Sequence, residues 1–184
     1  RPGWHLECSA MCREYLGDSF DLHSGGEDLV FPHHENEIAQ SECSSGQSFA
    51  RHWLHIAHLL VDGGKMSKSL GNMYSVEDLR EKGHKPEIVR YVLLSGHYRQ
   101  SLNFTFSSLD AARAALGKLA KVRRALGEGD PPSYEDSIER GSADLGPFAP
   151  AWEALLDDLN APKALGALFS AVREIKSENL AAKE

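Results

Sequence analysis

The sequence predicts a mixed α/β first part, up to about residue 105, followed by an all-helical second part. Two observations lead to this prediction. Short apolar segments alternate with helical ones only in the first part, where pairs of glycines interrupt them. Beyond residue 105, alanines and leucines recur at helical spacing. Together they indicate the second half of an α/β nucleotide-binding core, followed by a helical bundle.

Four elements are predicted in the first 61 residues. Glycines and a proline mark most of their boundaries, because these residues interrupt regular structure or open a helix. The elements are a helix over 4–16 with Leu6, Ala10 and Met11 facing inward, a strand over 20–23, a helix over 33–41 opened by Pro32, and a buried strand over 53–61.

Helices dominate the rest of the chain. Ser75 and Asp78 are typical of a capped helix start. Three parts are predicted: residues 1–62 as the α/β core, 63–105 as a loop-bearing subdomain, and 106–184 as a helical bundle with a linker or mobile loop over 127–147. The helices are a capped one ending near Gly83, one over 86–95, one from Thr105 or Ser107 to Leu126, and two over 147–158 and 161–181, the last with Asn160 as its cap.

Composition limits the classes of function. The 184 residues carry a formal net charge of −7, which argues against a protein that coats nucleic acid by bulk electrostatics. No apolar run approaches the roughly 20 residues that span a bilayer, and nothing resembles a signal peptide. Three cysteines cannot all pair with one another, which favours a cytosolic protein that uses a thiol for metal binding or catalysis.

The segment from Lys65 to Ser69 reads K-M-S-K-S and is followed by Leu70-Gly71-Asn72. Lysines act as point charges on phosphate, while hydroxyls and backbone N–H groups satisfy its oxygens. Such a loop can neutralise charge that builds on a triphosphate during attack at the α-phosphorus. The plainer interpretation of any K-x-x-K is a solvated basic turn.

A second set of residues has the chemistry of a metal site. His33 and Glu37 are four residues apart and share one face of a helix. Cysteine, histidine and carboxylate are all zinc ligands, so Cys8 completes a candidate group. Taken alone, the pair is more often a surface contact, and a cysteine more often fills a core. His34 and Cys43 are interpreted as structural.

The segment from His23 to Asp28 places two glycines at the end of a predicted strand. Gly25 and Gly26 allow a backbone to approach a ligand closely, and the carboxylate of Asp28 can accept hydrogen bonds from ribose hydroxyls. The same segment suits a tight turn equally well.

These stretches resemble the cysteinyl-tRNA synthetase family, and K-M-S-K-S resembles the signature loop of class I aminoacyl-tRNA synthetases. The resemblance covers most of the chain and weakens over 127–147. It is carried by PGWHLECSAM at 2–11, FPHHENEIAQ at 31–40, KMSKS at 65–69, LLSGHYR at 93–99, LNF at 102–104 and DDLNAPKAL at 157–165.

In that family, zinc (Zn²⁺) binds the thiolate of the substrate cysteine, so selection rests on a metal bond. The resemblance implies Cys8, His33 and Glu37 as ligands. The family's fourth ligand, an early cysteine of the full enzyme, has no counterpart in this chain. Cys12, four residues after Cys8, is an alternative ligand, and a buried thiol is its plainer interpretation.

The resemblance also implies roles in handling ATP and the amino acid. Lys65 and Lys68 are the expected catalytic residues that stabilise the phosphates, and Lys68 also binds ATP. The other expected residues are Gly25, Gly26 and Asp28 in the ATP pocket, and Trp4 and His23 near the cysteine substrate. Ser24 departs from the glycine found in many relatives, and a core position is the plainer interpretation of Trp4.

The implied partners are tRNA(Cys), L-cysteine and ATP with Mg²⁺, for a cytoplasmic enzyme that is a monomer in full-length form. Two alternatives stay open: a cysteine ligase of mycothiol biosynthesis, which passes activated cysteine to an amino-sugar, and a noncatalytic fragment that binds zinc or tRNA. The family's H-I-G-H motif is absent from these 184 residues. We therefore expect this chain alone to bind metal without catalysing aminoacylation.

Overall fold

The computed structural model describes residues 3–67, 69–126 and 143–181, and the chain divides into two compact units. The first unit runs to His58 and also contains Tyr98–Ser101; the second contains Leu59–His97 and continues from Leu102. A mixed α/β part followed by helices agrees with the predicted order. The three-part division at residues 62 and 105 stays a prediction.

The first unit is built on a two-stranded parallel sheet. Parallel neighbours need a crossover connection, and here a helix supplies it. Phe49, immediately before the second strand, is 1% exposed. The elements are α1 (Trp4–Leu16), β1 (Phe20–Gly26), α2 (Glu35–Ser45) and β2 (Ala50–Ile56).

Strand β1 is longer than the predicted 20–23. Gly25 pairs with His55 and Gly26 with Ile56, so both glycines continue the ladder instead of ending it. The prediction treated the glycines as a stop because they weaken strands. Pairing with β2 overrides that preference.

The second predicted helix begins two residues late. Residues Val30–His34 form a single wide, π-type turn, and α2 follows from Glu35. His33 therefore precedes the α-helix in which it was predicted to lie. The turn nevertheless buries both His33 and His34.

The inward face predicted for α1 is wrong. Leu6 and Met11 are 44% and 53% exposed, whereas Ser9 is buried and Cys8 and Cys12 are half-buried. The helix is only weakly amphipathic, so its apolar residues do not define one side. Contacts with α2 and the preceding π-type turn select the buried face.

The predicted strand over 53–61 is two strands in two sheets. Strand β2 ends at Ile56, and the next strand begins at Leu59. Between them, Ala57 N donates a hydrogen bond of 2.8 Å to Tyr98 O. An apolar run carries no mark of such a change of partner, which is why the sequence indicated one strand.

The second unit surrounds a three-stranded sheet in the order β4-β3-β5. Its core includes Leu109 at 0% exposure, Val61 and Val92 at 2%, and Phe104 at 4%. The elements are β3 (Leu59–Val61), β4 (Gly64–Lys65), α3 (Val76–Glu81), α4 (Pro86–Leu94), β5 (Leu102–Phe104), α5 (Phe106–Leu126), α6 (Ala149–Leu156) and α7 (Ala161–Ala181).

Side-chain caps begin the helices where the sequence predicted them. Ser75 and Asp78 form a complete capping box. Thr105 Oγ1 accepts a hydrogen bond from Ser108 N at 3.1 Å, and Asn160 Oδ1 accepts one from Lys163 N at 3.1 Å. These caps could be predicted from the sequence because each one satisfies free backbone N–H groups at the start of the helix that directly follows it.

Two predictions fall partly outside the described residues: the loop over 127–147, of which 127–142 is not described, and Lys68. Residues Ala143–Phe148 form a 3₁₀ segment before α6. Among the helices that the structure describes, none combines the length and apolar character needed to cross a membrane.

Candidate metal and signature-loop sites

Glu37 is the centre of the candidate metal site. Its side chain is fully buried in α2, where an isolated carboxylate is costly. His33 Nε2 lies 2.7 Å from Glu37 Oε1, and His23 Nε2 is hydrogen-bonded to Glu37 Oε2 at 2.7 Å. A buried carboxylate between two imidazoles is a candidate functional group.

Three elements bring the predicted ligands together. Cys8 comes from α1, His33 from the π-type turn, and Glu37 from the first turn of α2. The thiol sulfur, an imidazole nitrogen and a carboxylate oxygen all lie within 4.8 Å of one another. A tetrahedral zinc ion lies about 2.0–2.3 Å from each of its ligand atoms. Small shifts of these three side chains would place their donor atoms at that distance from one ion.

The donor atoms fit a cation. The approach of His33 Nε2 to Glu37 Oε1 lacks the angle of a hydrogen bond, and this buried oxygen has no hydrogen-bond partner among the described residues. A buried acceptor without a partner loses its hydration with no compensation. A metal ion bound by Cys8, His33 and Glu37 would satisfy the oxygen and draw on the nitrogen lone pair.

In the metal-free protein, Cys8 keeps its thiol proton more strongly than an ordinary cysteine does. Burial raises its pKa, and the negative charges of Glu37 and Glu7 raise it further. Metal ligation requires the thiolate, so a bound cation must overcome this preference. Metal uptake is therefore coupled to release of a proton.

Aromatic side chains pack beside these donor atoms. The ring of Trp4 lies 4.4 Å from that of His33, and the ring of His23 stacks on Trp53 at 4.6 Å with an interplanar angle of 14°. Trp4 is 62% exposed, so the interpretation of this residue as a core tryptophan is wrong. Trp4 and His23, both predicted near the substrate, each contact a candidate metal ligand or its partner.

His34 is the most perturbed base of the site. Burial lowers its pKa to about 4, assisted by the nearby imidazoles of His23, His55 and His33. His34 Nδ1 lies 2.8 Å from His55 Nε2, so one of the two rings donates to the other. The imidazole of His34 is neutral at physiological pH.

A second possible donor group consists of His23, His34 and Glu37. It shares Glu37 with the first group and contains no thiol. Zinc in proteins is commonly bound by cysteine thiolate together with histidine, which favours the donor group that contains a cysteine. The group with Cys8 is therefore the stronger candidate for a zinc site.

Sequence analysis missed His55 and Trp53, both on β2. They join the site because β2 pairs with β1, and His23 lies directly opposite Trp53 in the register. The spacing of two between Trp53 and His55, which places them on one face of a strand, was the only signal in the sequence. It did not reveal which strand would lie alongside.

The glycine segment borders the histidine cluster. A Cβ on Gly25 would lie 2.7 Å from Cε1 of His34, so this glycine makes room for a buried imidazole. Asp28 is exposed, and its neighbour Glu27 pairs with His58 Nδ1 at 2.7 Å. Roles for Gly25, Gly26 and Asp28 in binding ATP stay predictions.

The K-M-S-K-S loop follows strand β4 in the second unit. Lys65 is exposed at the end of β4, and Met66 packs against the apolar core. Ser67 Oγ lies 3.1 Å from Ser69 Oγ, and it accepts a hydrogen bond from Leu70 N at 3.2 Å. The catalytic role of Lys68, which is outside the described residues, stays a prediction.

The other two cysteines differ in environment. Cys12 is half-buried, and burial together with Glu37 and Cys8 raises its pKa. Cys12 is not in either group of donor atoms found among the described residues. Cys43 is exposed on α2.

An α/β part, a K-M-S-K-S loop and a helical part in one chain are typical of the class I tRNA synthetases. The family model described as the class I (C) tRNA synthetase catalytic domain matches residues 1–114, and the chain belongs to this family. A model described as the DALR domain matches residues 152–184.

Within that class, the relatives are cysteine–tRNA ligases. The chain is 56% identical to the enzyme of Opitutus terrae over 178 residues, which is 97% of this chain and 36% of that protein. It is 51% identical to the enzyme of Chlamydia muridarum over 178 residues, or 95% of this chain and 37% of that protein. The chain thus spans just over a third of the length of these relatives.

A solved structure shares the fold. It is a ternary complex of Agrobacterium radiobacter agnB2 LeuRS with tRNA and LeuAMS, with a TM-score of 0.63 and 18% identity. The match covers 86% of this chain and 23% of that one. At this identity the likeness concerns the fold alone.

Proposed function

We propose that this chain takes part in ATP-dependent activation of L-cysteine and its transfer to tRNA(Cys). In this proposal its first part is the second half of a Rossmann-like class I core, followed by a signature-loop subdomain and a helical bundle. The observation that carries the proposal is the convergence of Cys8, His33 and Glu37 on one point. Membership of the class I family and the cysteine–tRNA ligase relatives support it.

The proposed metal is zinc, and Cys8, His33 and Glu37 would hold it. Zinc bound there supplies a centre that prefers a thiolate to a hydroxyl, which separates cysteine from serine where shape cannot. Three ligands from this chain leave room for further donors, among them the substrate sulfur. His23 orients Glu37 through its hydrogen bond, in the way that outer partners orient metal ligands.

Trp4 and His23 are proposed to line the cysteine pocket. Both rings already contact a candidate metal ligand, His33 or Glu37, so a substrate bound at the metal would lie against them. Gly25, Gly26 and Asp28 are proposed to border ATP.

The signature loop is proposed to act on the triphosphate. Lys65 and Lys68 would neutralise charge as the cysteine carboxylate attacks the α-phosphorus and pyrophosphate leaves, with Mg²⁺ accompanying ATP. Both products are then accounted for: cysteinyl-adenylate and pyrophosphate. In the gene product that contains this chain, replacing Lys68 by alanine should lower cysteine-dependent pyrophosphate exchange by roughly 10²–10³-fold.

The helical part is proposed to contact tRNA. Helix α5 carries five exposed cationic residues, and no carboxylate of the described residues forms an ion pair with them. They are Arg113, Lys118, Lys121, Arg123 and Arg124. Cations of this kind bind phosphates even on an acidic protein. Free thiols and the use of ATP and tRNA favour a cytoplasmic location.

Metal analysis of the purified chain tests the proposal without requiring activity. We expect zinc to bind the wild-type chain and to be lost on Cys8→Ser. Cys43→Ser is the matched control, because Cys43 is exposed and belongs to neither donor group. Equal zinc content in all three proteins would overturn the ligand assignment.

Acceptor assays on the gene product that contains this chain test the reaction. We expect pyrophosphate exchange with cysteine but not serine, and transfer to tRNA(Cys). Transfer to an amino-sugar in place of tRNA would identify the mycothiol-type ligase instead. No cysteine-dependent exchange at all would leave a binding function.

A further inference from the structure

Asn72 joins the two sides of the signature loop through its side chain. Its Oδ1 accepts a hydrogen bond from Ser67 N at 2.9 Å, and its Nδ2 donates one to Lys65 O at 3.2 Å. One amide therefore satisfies a backbone donor and a backbone acceptor at the start of the loop. A carboxylate only accepts hydrogen bonds and an aliphatic side chain makes none, so neither can replace the amide in both bonds.

The chain returns to this position through Gly71. Gly71 has a φ of 65°, in the left-handed region that favours glycine, and Asn72 follows half-buried. Strand β4 ends at Lys65, so no strand ladder holds the residues after it. Among the described residues, the side-chain hydrogen bonds that close the loop come from two residues. The Asn72 amide bonds Ser67 N and Lys65 O, and Ser67 Oγ contacts Leu70 N and Ser69 Oγ.

We infer that Asn72 is a positioning residue for the adenylation step, an inference that rests on the proposed function. A lysine side chain is long and flexible, so its charge is useful only where the backbone beneath it is fixed. Asn72 fixes the backbone at Lys65 and Ser67. Both hydrogen bonds of the amide go to the backbone of the loop, so we assign it an effect on the phosphates through the loop.

Asn72→Ala in the gene product that contains this chain should lower the maximal rate of cysteine-dependent pyrophosphate exchange by about 10- to 100-fold, because displacement of a reacting group by about 1 Å has effects of that size. The KM for cysteine should stay within twofold of wild type, because the candidate cysteine site consists of other residues. Asn160→Ala is the matched control: it also removes one asparagine amide bonded to backbone, at the start of α7.

Limited proteolysis with trypsin gives a readout that does not depend on activity. Removal of the Asn72 amide should speed cleavage after Lys65 and Lys68 at least several-fold, while Asn160→Ala leaves these cleavages at the wild-type rate. Mass spectrometry identifies the sites. Equal cleavage of all three proteins would overturn the role of Asn72 in holding the loop.

The outcomes of the exchange assay separate the two proposals. If wild type is active and Asn72→Ala matches it, or if Asn72→Ala and Asn160→Ala lose rate equally, the positioning role is wrong and the proposed function stands. If wild type shows no cysteine-dependent exchange, the proposed function fails and the inference with it. A rise in the KM for cysteine with an unchanged rate would also overturn the positioning role.

Discussion

His23 Nε2 is hydrogen-bonded to Glu37 Oε2 at 2.7 Å, which ties strand β1 to helix α2 inside the candidate metal site. The two residues are 14 positions apart, and Glu37 has no exposed surface. The bond leaves Oε1 as the oxygen that faces His33. His23 thus determines which carboxylate oxygen is available to a metal.

His23→Ala should weaken zinc binding by about 10- to 100-fold, because removal of a partner that orients a ligand typically has this effect. Competition with a chromophoric chelator measures the affinity. His52→Ala is the matched control, since His52 is exposed on β2. Wild-type affinity in His23→Ala would show that Glu37 needs no such support.

Leu109→Ala should reduce the free energy of unfolding by ~2–5 kcal/mol, because the side chain is fully buried in the core of the second unit. Urea denaturation monitored by circular dichroism measures the change. Leu94→Ala provides the comparison, since Leu94 is 52% exposed and lies on neighbouring helix α4. Similar losses for both variants would contradict the assigned core.

The capping box of α3 should make stability depend on pH in the acid range. Hydrogen bonds from the backbone and side chain of Ser75 lower the pKa of Asp78, and Lys82 adds to the effect. Because the folded-state pKa lies below 3.8, the stabilisation is complete above that value and is lost as the pH falls through the folded-state pKa.

Asp78→Asn isolates this contribution. We expect the melting temperature of wild type to exceed that of Asp78→Asn at pH 7, and the gap to narrow as the pH falls below 4. Thermal melts at pH 7, 5, 4 and 3 measure it. A gap that stays constant over this range would mean that the carboxylate charge does not contribute.

Lys121→Ala should weaken binding of tRNA and reduce the slope of log K against log salt by about 1, the value for one lost phosphate contact. This prediction rests on the proposed tRNA partner. Lys163→Ala is the control, because Lys163 Nζ already lies 3.4 Å from Asp157 Oδ2. Equal slopes for wild type and Lys121→Ala would exclude Lys121 from the contact.

Local features of the fold could be predicted because their causes lie within a few residues. Ser75 with Asp78, Thr105 and Asn160 each cap the helix that follows them. His33 and Glu37 meet at a spacing of four, although His33 lies in a π-type turn and not in α2. The spacing decided that contact, whatever the exact start of the helix.

The sequence alone determined the order of the α/β and helical parts and the helix caps. It also indicated a candidate set of metal-binding side chains, in which the family resemblance implied Cys8 as a ligand. Only the tertiary structure decided that β1 and β2 pair, which brings Trp53 and His55 to the histidine cluster, and that strand 53–61 breaks at Ala57. It also decided that α1 turns Ser9 inward while Leu6 stays exposed. Capping and i, i+4 contacts are local, whereas strand partners and buried faces depend on segments far apart in the chain, which no short pattern encodes.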